Sequence, residues 1–147
     1  MSVLYADTSA VIRTYFADED DHAVLRKLLI DGVDPVITSE LTRLELASAV
    51  ASAARAKRIT DPRTVLDQFD ADCGADGPYA LLRLNSSSAL SLARELVIEH
   101  RLRAADALHL AVLLSDGLAV AGGEPVVLVT RDVHQAEAAK ELGLSVL

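Results

Sequence analysis

The chain has 147 residues, 51% of them hydrophobic, and 22 Asp and Glu against 14 Lys and Arg give a net charge of -8. That length builds one sizeable core and we take residues 1–147 as a single domain, while the lone Cys73 excludes a disulfide framework or a zinc–cysteine cluster. The pI of about 4.8 argues against a broadly basic nucleic-acid surface. The start lacks a signal-peptide pattern and no uninterrupted apolar run nears the ~18 residues of a membrane span, so we expect a cytoplasmic protein with no membrane partner.

Strand-length apolar runs alternate with longer helical patterns, which predicts a parallel sheet covered by helices. The first strand is expected near 2–6 and ends at Asp7, followed by helices over 8–16 and 20–31. A second strand near 34–38 leads into a helix over 39–57, with Ser39 as its expected N-cap and Glu45 about one turn inside. Asp61-Pro62 opens a helix over 61–72, with proline in the first turn. A turn at 73–78 leads to a strand near 79–84, and Asn85-Ser86-Ser87 offers caps for a helix over 87–100. The next helix, 104–118, carries Asp106 in its first turn and is expected to stop at Gly117. A strand near 126–130, a helix over 132–142 stopping at Gly143, and a last strand near 144–147 complete the order. Local basic groups stand at Arg55, Lys57 and Arg58 and at Arg101 and Arg103.

Four acids therefore mark element edges, and each admits a plain structural reading. Asp7 and Asp132 suit helix N-caps, the latter with Gln135 at capping-box spacing. Asp106 suits the positive end of a helix, and Glu45 follows Thr42 by three residues. Their joint placement suggests more. Ligands of open parallel sheets bind beyond the carboxyl ends of the strands, where Asp7 and Asp132 project. Glu45 lies on or beside the inward face of its helix, since Leu41 and Ala49 are its i±4 neighbours. Four acids meeting in one cleft need a cation, because buried charge is costly unless paired.

The runs VLYADTSAVI, TSELTRLELASAV, LRAADALHLAVLL and VVLVTRD resemble the PIN-domain ribonucleases, and within them the VapC-type toxins of bacterial toxin–antitoxin pairs. The resemblance extends over essentially the whole chain and implies a three-layer sandwich, with a central, mostly parallel sheet of about five strands. It implies a Mg²⁺ or Mn²⁺ site at Asp7, Glu45, Asp106 and Asp132, with Asp7 and Asp106 the best matches to direct ligands. The implied reaction is attack of metal-activated water on an RNA phosphodiester, leaving 5′-phosphate and 3′-hydroxyl ends. Implied partners are RNA, a VapB-type antitoxin whose tail covers the cleft, and a second copy of the chain, giving a homodimer within a hetero-oligomer. The helices Leu41 to Ala56 and Asp61 to Phe69 offer surfaces for such contacts, or else pack the core.

Around these acids, Ser9 and Thr130 match hydroxyl positions common in that family, while capping and strand propensity also account for them. Thr8 adjoins them. His109, one turn after Asp106, reads as a core residue in preference to a general base. Arg101 and Arg103 are the expected RNA contacts, whereas Arg13, Arg43 and Arg131 read as surface ion pairs. With aromatics at 3% and no tryptophan, recognition rests on phosphates and shape. Phosphoaspartyl hydrolases also place an acid after the first strand, but Ser9 stands where their second aspartate belongs. The remaining alternative is a catalytically silent scaffold of the same fold that binds RNA or protein.

Overall fold

A computed structural model describes residues 1–147. Five strands, β1 (Val3–Ala6), β2 (Val36–Ser39), β3 (Tyr79–Leu82), β4 (Val126–Val129) and β5 (Ser145–Val146), form one sheet in the order β3-β2-β1-β4-β5. Every pairing is parallel. Eight α-helices cover it: α1 (Thr8–Arg13), α2 (His22–Leu29), α3 (Leu41–Arg55), α4 (Pro62–Asp72), α5 (Ser86–His100), α6 (Ala104–Val112), α7 (Leu118–Ala121) and α8 (Val133–Glu141).

Both faces of the sheet are buried, which explains the unbroken apolar runs of β1 and β4. Alternation along β1 divides them: Val3 and Tyr5 enter one core, Leu4 and Ala6 the other. The first core joins Val126 and Leu128 to Leu96 of α5, Leu110 of α6 and Ala139 of α8. The second joins Val36 and Val129 to Leu25 of α2, Leu46 and Val50 of α3 and Phe69 of α4. Each fully buried aliphatic side chain contributes roughly 1.5–3 kcal/mol. The result is the expected helix–sheet–helix sandwich.

Local chemistry sets most boundaries near their expected places. Asp61 accepts from the Arg63 amide with Pro62 at the helix start, and Gly143 turns the chain out of α8 at φ 81°. Ser39 is the last residue of β2 and not the N-cap of α3, yet its hydroxyl still accepts from the Leu41 amide. Asn85 precedes α5 without capping it, since its side-chain carbonyl is taken by the Ser87 hydroxyl.

The expected stop at Gly117 is wrong. The helix passes through a π-type turn over Leu113–Gly117 and continues as α7 to Gly122, which adopts φ 60°. The Ser115 hydroxyl donates to the Ala111 carbonyl in that widened stretch, a side-chain bond of the kind that bends helices. The continuous helical path Ala104–Ala121 is 18 residues long with mean hydropathy 1.5, so an apolar segment of spanning length does exist. It also carries Asp106, His109 and Asp116 and supplies Leu110, Ala111, Val112 and Leu113 to the core.

Between α5 and α6 the chain turns on Arg101, Leu102 and Arg103. Arg101 is left-handed at φ 54° and ψ 36°, a conformation costing a non-glycine residue about 1 kcal/mol.

Candidate active site

Strand order reverses at β1: β2 lies on one side and β4, reached much later, on the other. The crevice beyond the β1 and β4 carboxyl ends is thus the switch point of the sheet. The register aligns Ala6 with Val129, so the next residues, Asp7 and Thr130, leave the sheet side by side. A cleft of about 370 Å³ opens there, lined by Asp7, Thr8, Ser9, Ile12, Glu45, Ser48, Ala49, Ser52, Arg103, Asp106, His109 and Asp132. All four acids picked from sequence share it. Only Ile12 and Ala49 among the lining residues are apolar, so the cleft suits a polar, charged ligand.

Asp7 is 2% exposed. One oxygen accepts from the Ser9 hydroxyl at 2.6 Å and the Ala10 amide at 3.1 Å; the other accepts from the Thr130 hydroxyl at 2.5 Å. The cap reading and the cleft reading therefore describe one carboxylate. Burial lifts its pKa above the usual carboxylate value, outweighing the Ser9 and Thr130 hydrogen bonds that favour the charge. Thr130 reaches further, because its hydroxyl also accepts from the Asp132 amide at 3.0 Å. Ser9 accepts from the Arg131 amide at 2.8 Å. Both predicted hydroxyls thus fasten β1 and β4 chain ends around Asp7.

Asp132 caps α8 through the Gln135 amide, at 2.9 Å. The capping box is only half formed. Gln135 is fully buried and turns its amide nitrogen to the Asp106 carbonyl, 3.2 Å away, in place of returning to the cap. Asp106 is raised by burial, then by the neighbouring Asp132 charge, against the lowering effect of Arg103. Arg103 bridges the two acids, Nε to Asp106 at 3.2 Å and a terminal nitrogen to Asp132 at 2.9 Å, while its side chain stays 79% exposed.

Glu45 faces the cleft with Ser48, Ala49 and Ser52, an i, i+3, i+4, i+7 stripe of α3 visible in sequence but passed over. Its Oε1 accepts from Thr8 at 2.8 Å and from His109 Nε2 at 2.6 Å. Burial alone would raise Glu45, but His109, Thr8 and Arg103 together hold it below the usual glutamate range. His109 is buried, as a core residue should be, and also borders the cleft. Its Nδ1 lies 3.0 Å from the Tyr5 hydroxyl. Burial, then the Asp7 and Glu45 charges, keep that phenol protonated, and the His109 ring bridges it to Glu45 through Nδ1 and Nε2. Sequence reading missed this relay, since the 104-residue separation hides the Tyr5–His109 pair.

Other candidates fall elsewhere. Arg101 is outside the cleft, in an adjoining hollow with Arg103, Asp106 and His134. Arg131 pairs with Asp21 and Arg43 with Asp70, while Arg13 donates to the Ser9 carbonyl. No three His, Cys, Asp or Glu side chains converge into a ready-made metal cage; the acids line the cleft with oxygens turned to protein donors.

These features define a parallel α/β protein with an acid-lined cleft at its switch point. The chain belongs to the PIN-domain family, whose model matches residues 4–141. Ribonucleases VapC45 and VapC49 of Mycobacterium tuberculosis are each 32% identical over 119 residues, covering 80% of this chain and 78% of theirs. The fold is similar to M. tuberculosis VapC20, a sarcin-ricin loop cleaving toxin, with a TM-score of 0.66 at 17% identity over 92% of this chain and 94% of that one. It is also similar to VapBC2 of Rickettsia felis, solved bound to a promoter DNA fragment, with a TM-score of 0.64 at 14% identity over 99% and 97%.

Proposed function

We propose that this chain is the endoribonuclease toxin of a toxin–antitoxin pair and hydrolyses RNA with Mg²⁺ or Mn²⁺. The observation carrying this reading is the cleft at the β1–β4 switch point, lined by Asp7, Glu45, Asp106 and Asp132. The donor set fits the ion. Mg²⁺ takes hard oxygen ligands, uses few carboxylates and keeps several waters, so it needs no closed protein cage. Asp7 and Asp106 are both raised by burial, and a nearby cation relieves that penalty. We assign Asp7 and Asp106 as the residues holding the ion, with Glu45 and Asp132 acting directly or through water. When bound, the ion acidifies water and polarises a phosphoryl oxygen.

The chain's own residues prepare the site. Ser9 and Thr130 fix both Asp7 oxygens, Tyr5 and His109 orient Glu45, and Arg103 bridges Asp106 and Asp132 and offsets part of their charge. By analogy with relatives solved as VapBC assemblies, we propose a VapB-type antitoxin partner, a homodimer within the hetero-oligomer, and a cytoplasmic setting. Purified protein freed of any antitoxin should cut total RNA with Mg²⁺ or Mn²⁺, and lose the activity in EDTA or on Asp7→Asn. Mapping new 5′ ends would identify the target. RNA left intact with both Mg²⁺ and Mn²⁺ would overturn the reading.

A further inference from the structure

Beside the acid cleft is a second hollow of about 420 Å³, lined by Arg101, Arg103, Asp106 and His134, with no apolar side chain. The two adjoin, because Arg103 and Asp106 line both. We propose that this hollow holds a phosphate of the RNA strand flanking the phosphate under attack. The proposal extends the ribonuclease reading and rests on it.

Three observations converge on a phosphate. The first is the state of the basic groups. Arg103 is engaged with Asp106 and Asp132, whereas the exposed Arg101 and His134 make no side-chain hydrogen bond or ion pair within the protein. Arg13, Arg43 and Arg131, the other arginines near the acids in sequence, are occupied by Ser9, Asp70 and Asp21.

The second is the backbone. Arg101 ends α5 in the left-handed region, where glycine is the usual and easier residue. Leu102, 4% exposed, pins the turn into the core and leaves Arg101 and Arg103 at the surface on either side. An arginine kept in a strained place, with no partner in the fold, points to a ligand for its guanidinium.

The third is the chemistry of the lining. A guanidinium presents parallel donors that match phosphate oxygens. The hollow holds no Phe, Tyr or Trp ring. In a chain of net charge -8, a basic hollow beside the acid cleft gives a polyanion a local landing place. It also sets a direction: the strand crosses the acids and leaves over the Arg101 turn toward the start of α8.

The test is fluorescence anisotropy with a short labelled single-stranded RNA of mixed sequence, in an Asp7→Asn background so that the probe stays intact. Arg101→Gly should weaken binding several-fold and flatten the slope of log affinity against log salt by about 0.7, one phosphate contact on a single strand. Its melting temperature should hold or rise, because glycine suits that backbone. His134→Ala should also weaken binding, and Arg63→Ala, on distant α4, should not. Unchanged affinity and slope in both Arg101→Gly and His134→Ala would overturn the subsite. Cleavage by the wild-type chain is scored separately: unchanged slopes with cleavage intact remove only the subsite, and absent cleavage removes the ribonuclease reading.

Discussion

Asp7 holds two positions with one carboxylate, as the cap of α1 and as the most buried acid of the cleft. Burial raises its pKa, so the folded chain holds that proton more tightly than the unfolded chain. Stability from this group is present below the ordinary carboxylate range and is lost as pH rises through the elevated value. Above that elevated value the protein without a bound cation carries the full penalty of the charge. Asparagine retains an oxygen for the Ala10 amide and caps nearly as well. Asp7→Asn should therefore melt above wild type in EDTA at neutral pH, with the gap closing below about pH 4. A lower melting temperature for the variant would show that the Ser9 and Thr130 hydrogen bonds outweigh burial.

Among the elements, the strands were the most legible, because parallel pairing with helices on both sides demands runs such as Val126 to Val129 with no polar interruption. The acids were legible for the same reason, since Asp7 and Asp132 end or closely follow those runs. What stayed hidden depends on tertiary contact. The Tyr5–His109–Glu45 chain joins three elements, and Gln135 leaves its cap for Asp106 across the α6–α8 interface. Gly117 misled because glycine usually ends helices, whereas here it is helical at φ -62° and ψ -48°. A Cβ there would meet Ile37 Cδ1 at 3.5 Å, an ordinary contact. Gly117→Ala should stabilise the fold by about 0.4–1 kcal/mol, read as a rise of roughly 1–4 °C in melting temperature. A fall would mean that the π-type turn needs glycine.

For the whole molecule, the raised pKa values of Asp7 and Asp106 mark a charge penalty in the cleft that a bound cation would relieve. An ion that binds only the folded state adds stability as its concentration exceeds Kd, about 2.7 kcal/mol at a hundredfold excess. Thermal melts should rise with Mn²⁺ or Mg²⁺ in wild type, return with EDTA, and respond far less in Asp7→Asn. Equal shifts in both proteins would place the ion elsewhere. The last residues matter to handling for a related reason. β5 is two residues long, yet the Leu147 carbonyl accepts from Thr130 N–H and the Leu147 amide donates to Leu128. Thr130 is the residue that steadies Asp7, so an affinity tag joined after Leu147 begins on the frame of the cleft. Met1, 77% exposed, is the end at which a tag, a surface tether or a fluorophore leaves that frame undisturbed.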